Sequence, residues 1–451
     1  METQVRQRNL LERVLSVAAE VRAGEGRSVA MLALNVFLLM LAYYLLKTVR
    51  DALILAEQGA EVKSYSSAAQ AMLFLGIVPV YAAFASRVNR IRLITWVSLF
   101  FISNLVVFAA LGMAHVREGI AFFIWVGIFN MLVIAQFWAF TNDLHTDASG
   151  KRLFPVIMLG ASIGAVSGGR IAAWLFAGFG AYGLMLLSAC LLVGCIGISR
   201  WIHFHAVAQP ARVAVAAEEP LSKKGVWELF AGDRYLQLLA VLMVVLNVVN
   251  TNGEYVLGKI VAAEALKVVG SNEAARTVFI GEFMGRFSSL YSTVGLLLQL
   301  FVVSRVFRFI GVAGALYVLP AIALGGYSLM VVLPVLGVVQ WAKILENGTD
   351  YSLQNTTRQA LFLPTSREAK YKAKAAIDTF FVRGGDMLQA GLVFAATTWL
   401  GLGISGFAAI NVGLVLVWLG VVMGVSKEYR RRTENTAREI PDGAAVRGAT
   451  V

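Results

Sequence analysis

Charge, cysteine, proline and histidine are all scarce in this chain, and each scarcity removes a class of protein. Only 15% of the residues are charged, where ordinary soluble domains carry about a quarter. Two cysteines, Cys190 and Cys195, fall in one apolar run and not in CxxC spacing. That excludes a disulfide framework or a thiolate metal site and leaves them a packing role. The four histidines, His115, His145, His203 and His205, fall at loops and span ends. No HExxH, nucleophile elbow or paired-carboxylate motif stands out, so the chain is not expected to be an enzyme or to hold a metal or cofactor. Prolines number only eight. Short alternating segments, the mark of an outer-membrane barrel, are missing. No cleavable signal peptide is evident, because the basic segment before the first apolar run is long and no small-residue cleavage site follows.

What is present is apolar sequence. The chain is 58% hydrophobic, with a mean hydropathy of +0.72. Runs of about 20 apolar residues recur along it, which is the signature of a polytopic helical membrane protein. Twelve spans are expected, near 29–54, 67–86, 91–113, 119–142, 153–177, 180–199, 235–258, 285–305, 310–331, 333–357, 375–398 and 403–425. Lysine and arginine then mark alternate connections. Arg6, Arg8, Arg13, Arg22 and Arg27 precede the first span. Arg87, Arg90 and Arg92, then Lys151 and Arg152, then Arg200 to Arg234, Arg305 and Arg308, Arg367 to Lys374, and Lys427 to Arg432 follow. With twelve spans all of these lie on one side, so that side and both termini are expected to be cytoplasmic, in a bacterial inner membrane. The same alternation argues against a nucleic-acid partner, although the net charge is +12.

The organisation read from these features has five parts. Residues 1–28 form a cytoplasmic amphipathic segment, with Leu10, Leu11, Val14, Val17, Ala18 and Val21 at helical spacing. Residues 29–200 form one six-helix half. Residues 201–234 form a cytoplasmic linker, low in complexity at AVAQPARVAVAAEEP. Residues 235–426 form the second half, and 427–451 a polar, disordered tail. AYYLLK at 42–47 and EYVLGK at 254–259 share Tyr, Leu and Lys at one spacing, and the same offset pairs Asn35 with Asn247. Two parallel halves joined by a basic loop match the layout of major-facilitator carriers. A monomer in the lipid bilayer is expected.

Ionisable residues inside spans are the informative exceptions. A charge at a helix centre costs about 2.5–3.5 kcal/mol, whereas each flanking leucine returns only about 0.3–0.6 kcal/mol. Span one carries Tyr43, Lys47, Arg50 and Asp51 at i, i+4, i+7 and i+8, on one face. A simple alternative is that Lys47 and Arg50 snorkel to the headgroups. Against it, this is the outer end, where positive charge is disfavoured. Span seven adds Asn247, Asn250, Thr251, Glu254 and Lys259. Span ten carries Lys343, Glu346, Asn347, Asp350, Gln354 and Thr357, a polar stripe expected to line a pore. In span eleven, Arg383 and Asp386 are placed to pair. By fold analogy spans one, four, seven and ten line a central cavity. Fixed lysines and arginines suit an anionic substrate, phosphates above all. Tyr43, Tyr44, Trp138 and Tyr255 offer a stacking face for a ring. In span five Gly160, Gly164 and Gly168 stand four apart, a spacing for close helix packing and not a phosphate loop.

LLKTVRDALI resembles the first-helix motif of the ATP/ADP translocase family, the nucleotide transporters of plastids and intracellular bacteria, through Leu46, Lys47, Arg50 and Asp51. FWAFTNDLHTDASGKRLFPVIMLGASIGAVSGG is similar to the fourth-to-fifth-helix region of its bacterial members. WELFAGDRYLQLLAVLMVVLNVVNTNGEYVLGK is similar to their seventh-helix start, in the form of an uncharacterised bacterial branch. The likeness runs from about residue 30 to 425. It implies a twelve-helix carrier that exchanges nucleotides, typically ATP for ADP, or another phosphorylated metabolite. It also implies transport roles for Lys47, Arg50 and Asp51, and by looser match for Glu254 and Lys259. The substrate-binding set expected from residues and resemblance together is Tyr43, Lys47, Arg50, Asp51, Asn247, Asn250, Glu254, Lys259, Lys343, Glu346, Asp350 and Arg383. Two rivals remain at this point. One is a proton-coupled exporter dependent on Asp51 or Glu254. The other is a non-transporting membrane scaffold that tolerates charge-neutralising changes.

Overall fold

In hydrocarbon every backbone N–H and C=O must find its partner within the chain, and a helix does this within one segment. The computed structural model describes residues 12, 20–22, 24–85, 87–205, 226–366 and 368–439, and all regular structure among them is helical. The first four helices follow the sequence pattern directly: α1 Gly26–Glu57, α2 Ala60–Ala85, α3 Arg90–Met113 and α4 Gly119–Leu144. The Asn89 side chain caps α3 by accepting from the Ile91 N–H at 3.1 Å, a role that asparagine fills better than an aliphatic residue. The next helix, α5 Asp147–His205, is long enough for two crossings and breaks at Gly180. There φ is 64°, in the left-handed region where a residue with a Cβ is strained. Spans five and six are thus joined by one glycine with no loop.

Beyond 225 come α6 Val226–Gly232, α7 Arg234–Val269, α8 Glu273–Phe301, α9 Val303–Ala315 and α10 Val318–Val332. A bend of 77° separates α8 from α9. Span ten is composite: α11 Leu336–Thr349, a π turn at Asp350–Gln354, and α12 Asn355–Leu361. Span eleven begins with π turns at Ala369–Ala373 and Ile377–Phe381, on either side of α13 Lys374–Ala376, and continues as α14 Val382–Thr398. The last helix is α15 Ile404–Glu439. Seven helices among the described residues are long and apolar enough to cross a bilayer outright, α5 counting once. Of the other crossings, α8 with α9 is bent, α10 is short, and spans ten and eleven carry π turns. This is an all-α polytopic membrane protein of about twelve crossings.

The C-terminal end departs from expectation. Residues 427–439 are helical instead of disordered. Arg431 and Arg432 bond Glu428 one turn back, and Arg432 also reaches Asp233 at 2.6 Å. These pairs fasten a polar helix end that lacks an apolar stripe. The amphipathic segment expected at Leu10–Val21 lies mostly outside the described residues. So do the low-complexity linker at 206–220 and the tail from 440.

The chain divides into two compact units. The first comprises Met1–Ala216 and Val261–Ser292, the second Ala217–Ile260 and Thr293–Val451. Part of α8 therefore packs with the first five helices, although α8 begins at Glu273 and they end at His205. Within the first unit α1 and α5 are in the most intimate contact. A Cβ on Gly160 would overlap the Ala33 carbonyl oxygen, one on Gly164 the Phe37 carbonyl oxygen, and one on Gly168 would lie 2.8 Å from the Tyr44 Cβ. The glycine stripe of span five is thus a helix-packing seam, as small residues at this spacing permit.

Candidate functional site

The ionisable residues of α1 gather with neighbours from three other helices of the first unit. Arg50 donates to Asp51 Oδ1 at 3.0 Å and covers the ring of Phe123 at 4.5 Å. Lys63, from α2, reaches the same carboxylate oxygen at 3.2 Å. Lys47 donates to the Tyr291 hydroxyl of α8 at 2.8 Å. Its ammonium also faces the rings of Tyr44, at 5.6 Å, and Tyr291, at 5.2 Å, within the range of cation–π attraction. Ser292 donates to the Tyr44 hydroxyl at 3.4 Å, and Tyr43 packs edge-on against Tyr44. Three cations thus surround one carboxylate in a largely buried, tyrosine-lined place. The local charge is positive by two, which suits an anion that brings its own oxygens as acceptors.

The second unit has a different balance. Lys343 is wholly buried. It bonds Asn250 Oδ1 at 2.9 Å and lies 3.2 Å from Glu346 and 3.7 Å from Glu254. Tyr327 donates to Glu346 at 2.8 Å, and Asn347 to Glu254 at 2.9 Å. Gly253 makes this possible, since a Cβ there would overlap the Tyr327 hydroxyl and stand 2.9 Å from Lys343 Nζ. Here one cation meets two carboxylates and the net charge is negative. The stripe expected to line a pore is packed inside the unit: Lys343, Glu346, Asn347, Gln354 and Thr357 are all buried. The apolar flanks Trp341 and Leu345 are exposed, whereas Lys343, Glu346 and Asn347 find partners on α7 and α10 and the Gln354 amide has none among the described residues.

The remaining expected residues form smaller groups. Asn247 donates to Asp386 at 2.8 Å, and Arg383 pairs with the same carboxylate at 3.2 Å. Lys259 donates to the Tyr255 hydroxyl at 2.9 Å and lies 5.8 Å from the centre of the Phe407 ring. Asp350 opens the π turn of span ten, and its Oδ1 is buried with no hydrogen-bond partner. Sequence reasoning missed three residues of these networks. Tyr291 and Tyr327 stand in apolar runs that carry no signal of their role. Lys63 carried one, as a basic residue on the side expected to be poor in them.

Solved structures with this arrangement of helices are transporters. The nucleoside transporter NupG superposes with a TM-score of 0.63 at 13% identity, covering 88% of this chain and 99% of NupG. A bacterial homologue of the iron transporter ferroportin, in an inward-facing state, gives 0.63 at 14%, covering 89% and 98%. The chain therefore has the fold that these multi-pass, major-facilitator-type proteins share. Residues 261–429 match the family model described as TLC ATP/ADP transporter. ADP,ATP carrier protein 1 of Chlamydia pneumoniae is 22% identical over 367 residues, covering 71% of this chain and 69% of the relative. The protein of the same name from Chlamydia trachomatis is 24% identical, covering 70% and 66%. Over these stretches the chain is similar to the ATP/ADP transporter family.

Proposed function

We propose that this chain exchanges adenine nucleotides, ATP against ADP in the simplest case, by alternating access. The observation that carries the reading is the charge around Asp51, where Lys47, Arg50 and Lys63 outweigh a single carboxylate. A polyphosphate supplies the missing negative charge and accepts charge-assisted hydrogen bonds from all three. Tyr291 holds Lys47 while substrate is absent and gives it up to a phosphate oxygen. Tyr43 and Tyr44 offer ring faces for the base.

In the second unit the same chemistry needs a prior release. Lys343 becomes a phosphate ligand only when Glu254 and Glu346 let it go, and Asn347 and Tyr327 hold those carboxylates meanwhile. Lys259 is a second ligand there. Asp350 provides a counter-charge, and Asn247 with Asp386 restrains Arg383. Two six-helix halves, 29–200 and 235–426, would carry these sets. The distribution of lysine and arginine supports a monomer in a bacterial inner membrane with both termini cytoplasmic.

The test uses purified protein in vesicles and in detergent. Lys47→Ala and Arg50→Ala should each lower ATP/ADP exchange roughly tenfold to a hundredfold, the loss of charge-assisted contacts of about 1.5–3 kcal/mol, with the melting temperature close to that of the parent. ATP and ADP should raise the melting temperature by mass action, and adenosine should not. Unchanged exchange in both variants, with no shift from any nucleotide, would remove the reading.

A further inference from the structure

Glu118 is a carboxyl group without a role in the site above. It occupies the N-cap of α4, yet its side chain makes no capping bond. Glu57, at the end of α1, takes that place by accepting from the Gly119 N–H at 2.9 Å. A helix N-terminus stabilises an anion, and here two carboxylates compete for one. Glu118 loses the contest: it is 4% exposed, and neither of its oxygens has a hydrogen-bond partner. A buried carboxylate in that position has no compensation for its lost hydration. Burial, and then the charge of Glu57, push its pKa up to about 7.

The surroundings give this group something to act on. The start of α8 is fastened to the same end of the first unit. Arg276 donates to the Ala56 carbonyl at 2.6 Å, and Arg117 pairs with Glu273 at 3.2 Å. Glu57 faces Glu273 from α8 and Arg117 from the turn before α4, Tyr182 from α5 faces Glu118, Glu57 and Glu273, and His115 lines the cavity beside them. A cavity of about 600 Å3 opens beside them, lined by Glu57, His115, Arg117, Tyr182, Asn272 and Glu273.

We propose that Glu118 is a proton-binding site at this end of the first unit, and that its protonation holds the start of α8 against α1 and α4. Ionised, it adds a third carboxylate to Glu57 and Glu273 and loosens the clasp. The sign is set by the direction of the shift. A carboxyl that binds its proton more tightly in the folded protein stabilises the clasp fully at acid pH. That contribution is lost as pH rises from about 4.5, the ordinary value, through about 7.

Melting temperature and amide hydrogen exchange across pH 5 to 8 test this, and neither needs a substrate, so failure here is distinct from failure of the nucleotide reading. Glu118→Gln should match the parent near pH 5 and melt at least about 2 °C higher near pH 8. Amides over 273–280 should lose protection with rising pH in the parent, after correction for intrinsic rates, and keep it in Glu118→Gln. Glu57→Gln, which removes the neighbouring charge but keeps an acceptor for Gly119, should move the parent's transition to lower pH. A Glu118→Gln protein that follows the parent at every pH, or a Glu57→Gln transition that does not move to lower pH, overturns the proposal.

Discussion

Lys343 shows how completely the company of a residue decides its part. It is wholly buried, and two carboxylates, an asparagine and a tyrosine complete its network. Removing one member of a buried ion pair strands the others without hydration, at a cost of about 3–5 kcal/mol. Lys343→Ala is therefore expected to lower the melting temperature sharply. The double variant Lys343→Met with Glu346→Gln, which removes both charges together, should recover most of the loss in a double-mutant comparison. Lys47 is the contrasting case. It lies in a place with surplus positive charge and is held by a neutral tyrosine hydroxyl, so its removal should cost transport and not stability. In the sequence these two lysines look alike, as lone cations in apolar helices.

At the scale of the element, the glycines of α5 divide into those that pack and those that do not. Gly164 lies against the Phe37 backbone, whereas a Cβ on Gly194 would meet nothing within 4 Å. Gly164→Leu should therefore drive α1 and α5 apart, at a cost of about 1–3 kcal/mol or more, and be seen as loss of folded protein in size-exclusion chromatography. Gly194→Leu, on an exposed face, should behave as the parent does. The spacing of Gly160, Gly164 and Gly168 announced the seam, because residues four apart share a helix face. It did not announce α1 as the partner. The π turns of spans ten and eleven had no sequence signal at all. They add a residue to a helical turn locally and re-aim Asp350 and the start of α14.

For the whole molecule, the prediction is obligatory exchange. Vesicles preloaded with ADP should take up labelled ATP, and empty vesicles should take up little, because the empty carrier keeps Lys47 on Tyr291 and Lys343 between its carboxylates. Uptake into empty vesicles at the loaded rate would mean a uniporter. Without substrate the second unit's cation is matched by carboxylates, whereas the first unit's cations outnumber theirs.

The apolarity of the crossings, the alternation of basic connections and the likeness to the ATP/ADP transporter family are legible in the sequence, because hydropathy, charge bias and motif spacing are local or statistical properties of the chain. Lys47, Arg50, Asp51, Glu254 and Lys343 were legible for the same reason: an ionisable group in hydrocarbon is costly enough to stand out wherever it is. Only the tertiary structure decided which of them neutralise one another. Asp51 meets Lys63 and Lys47 meets Tyr291, more than two hundred positions away in the second case. A pairing across helices is set by packing over the whole fold, and no pattern within one helix encodes it.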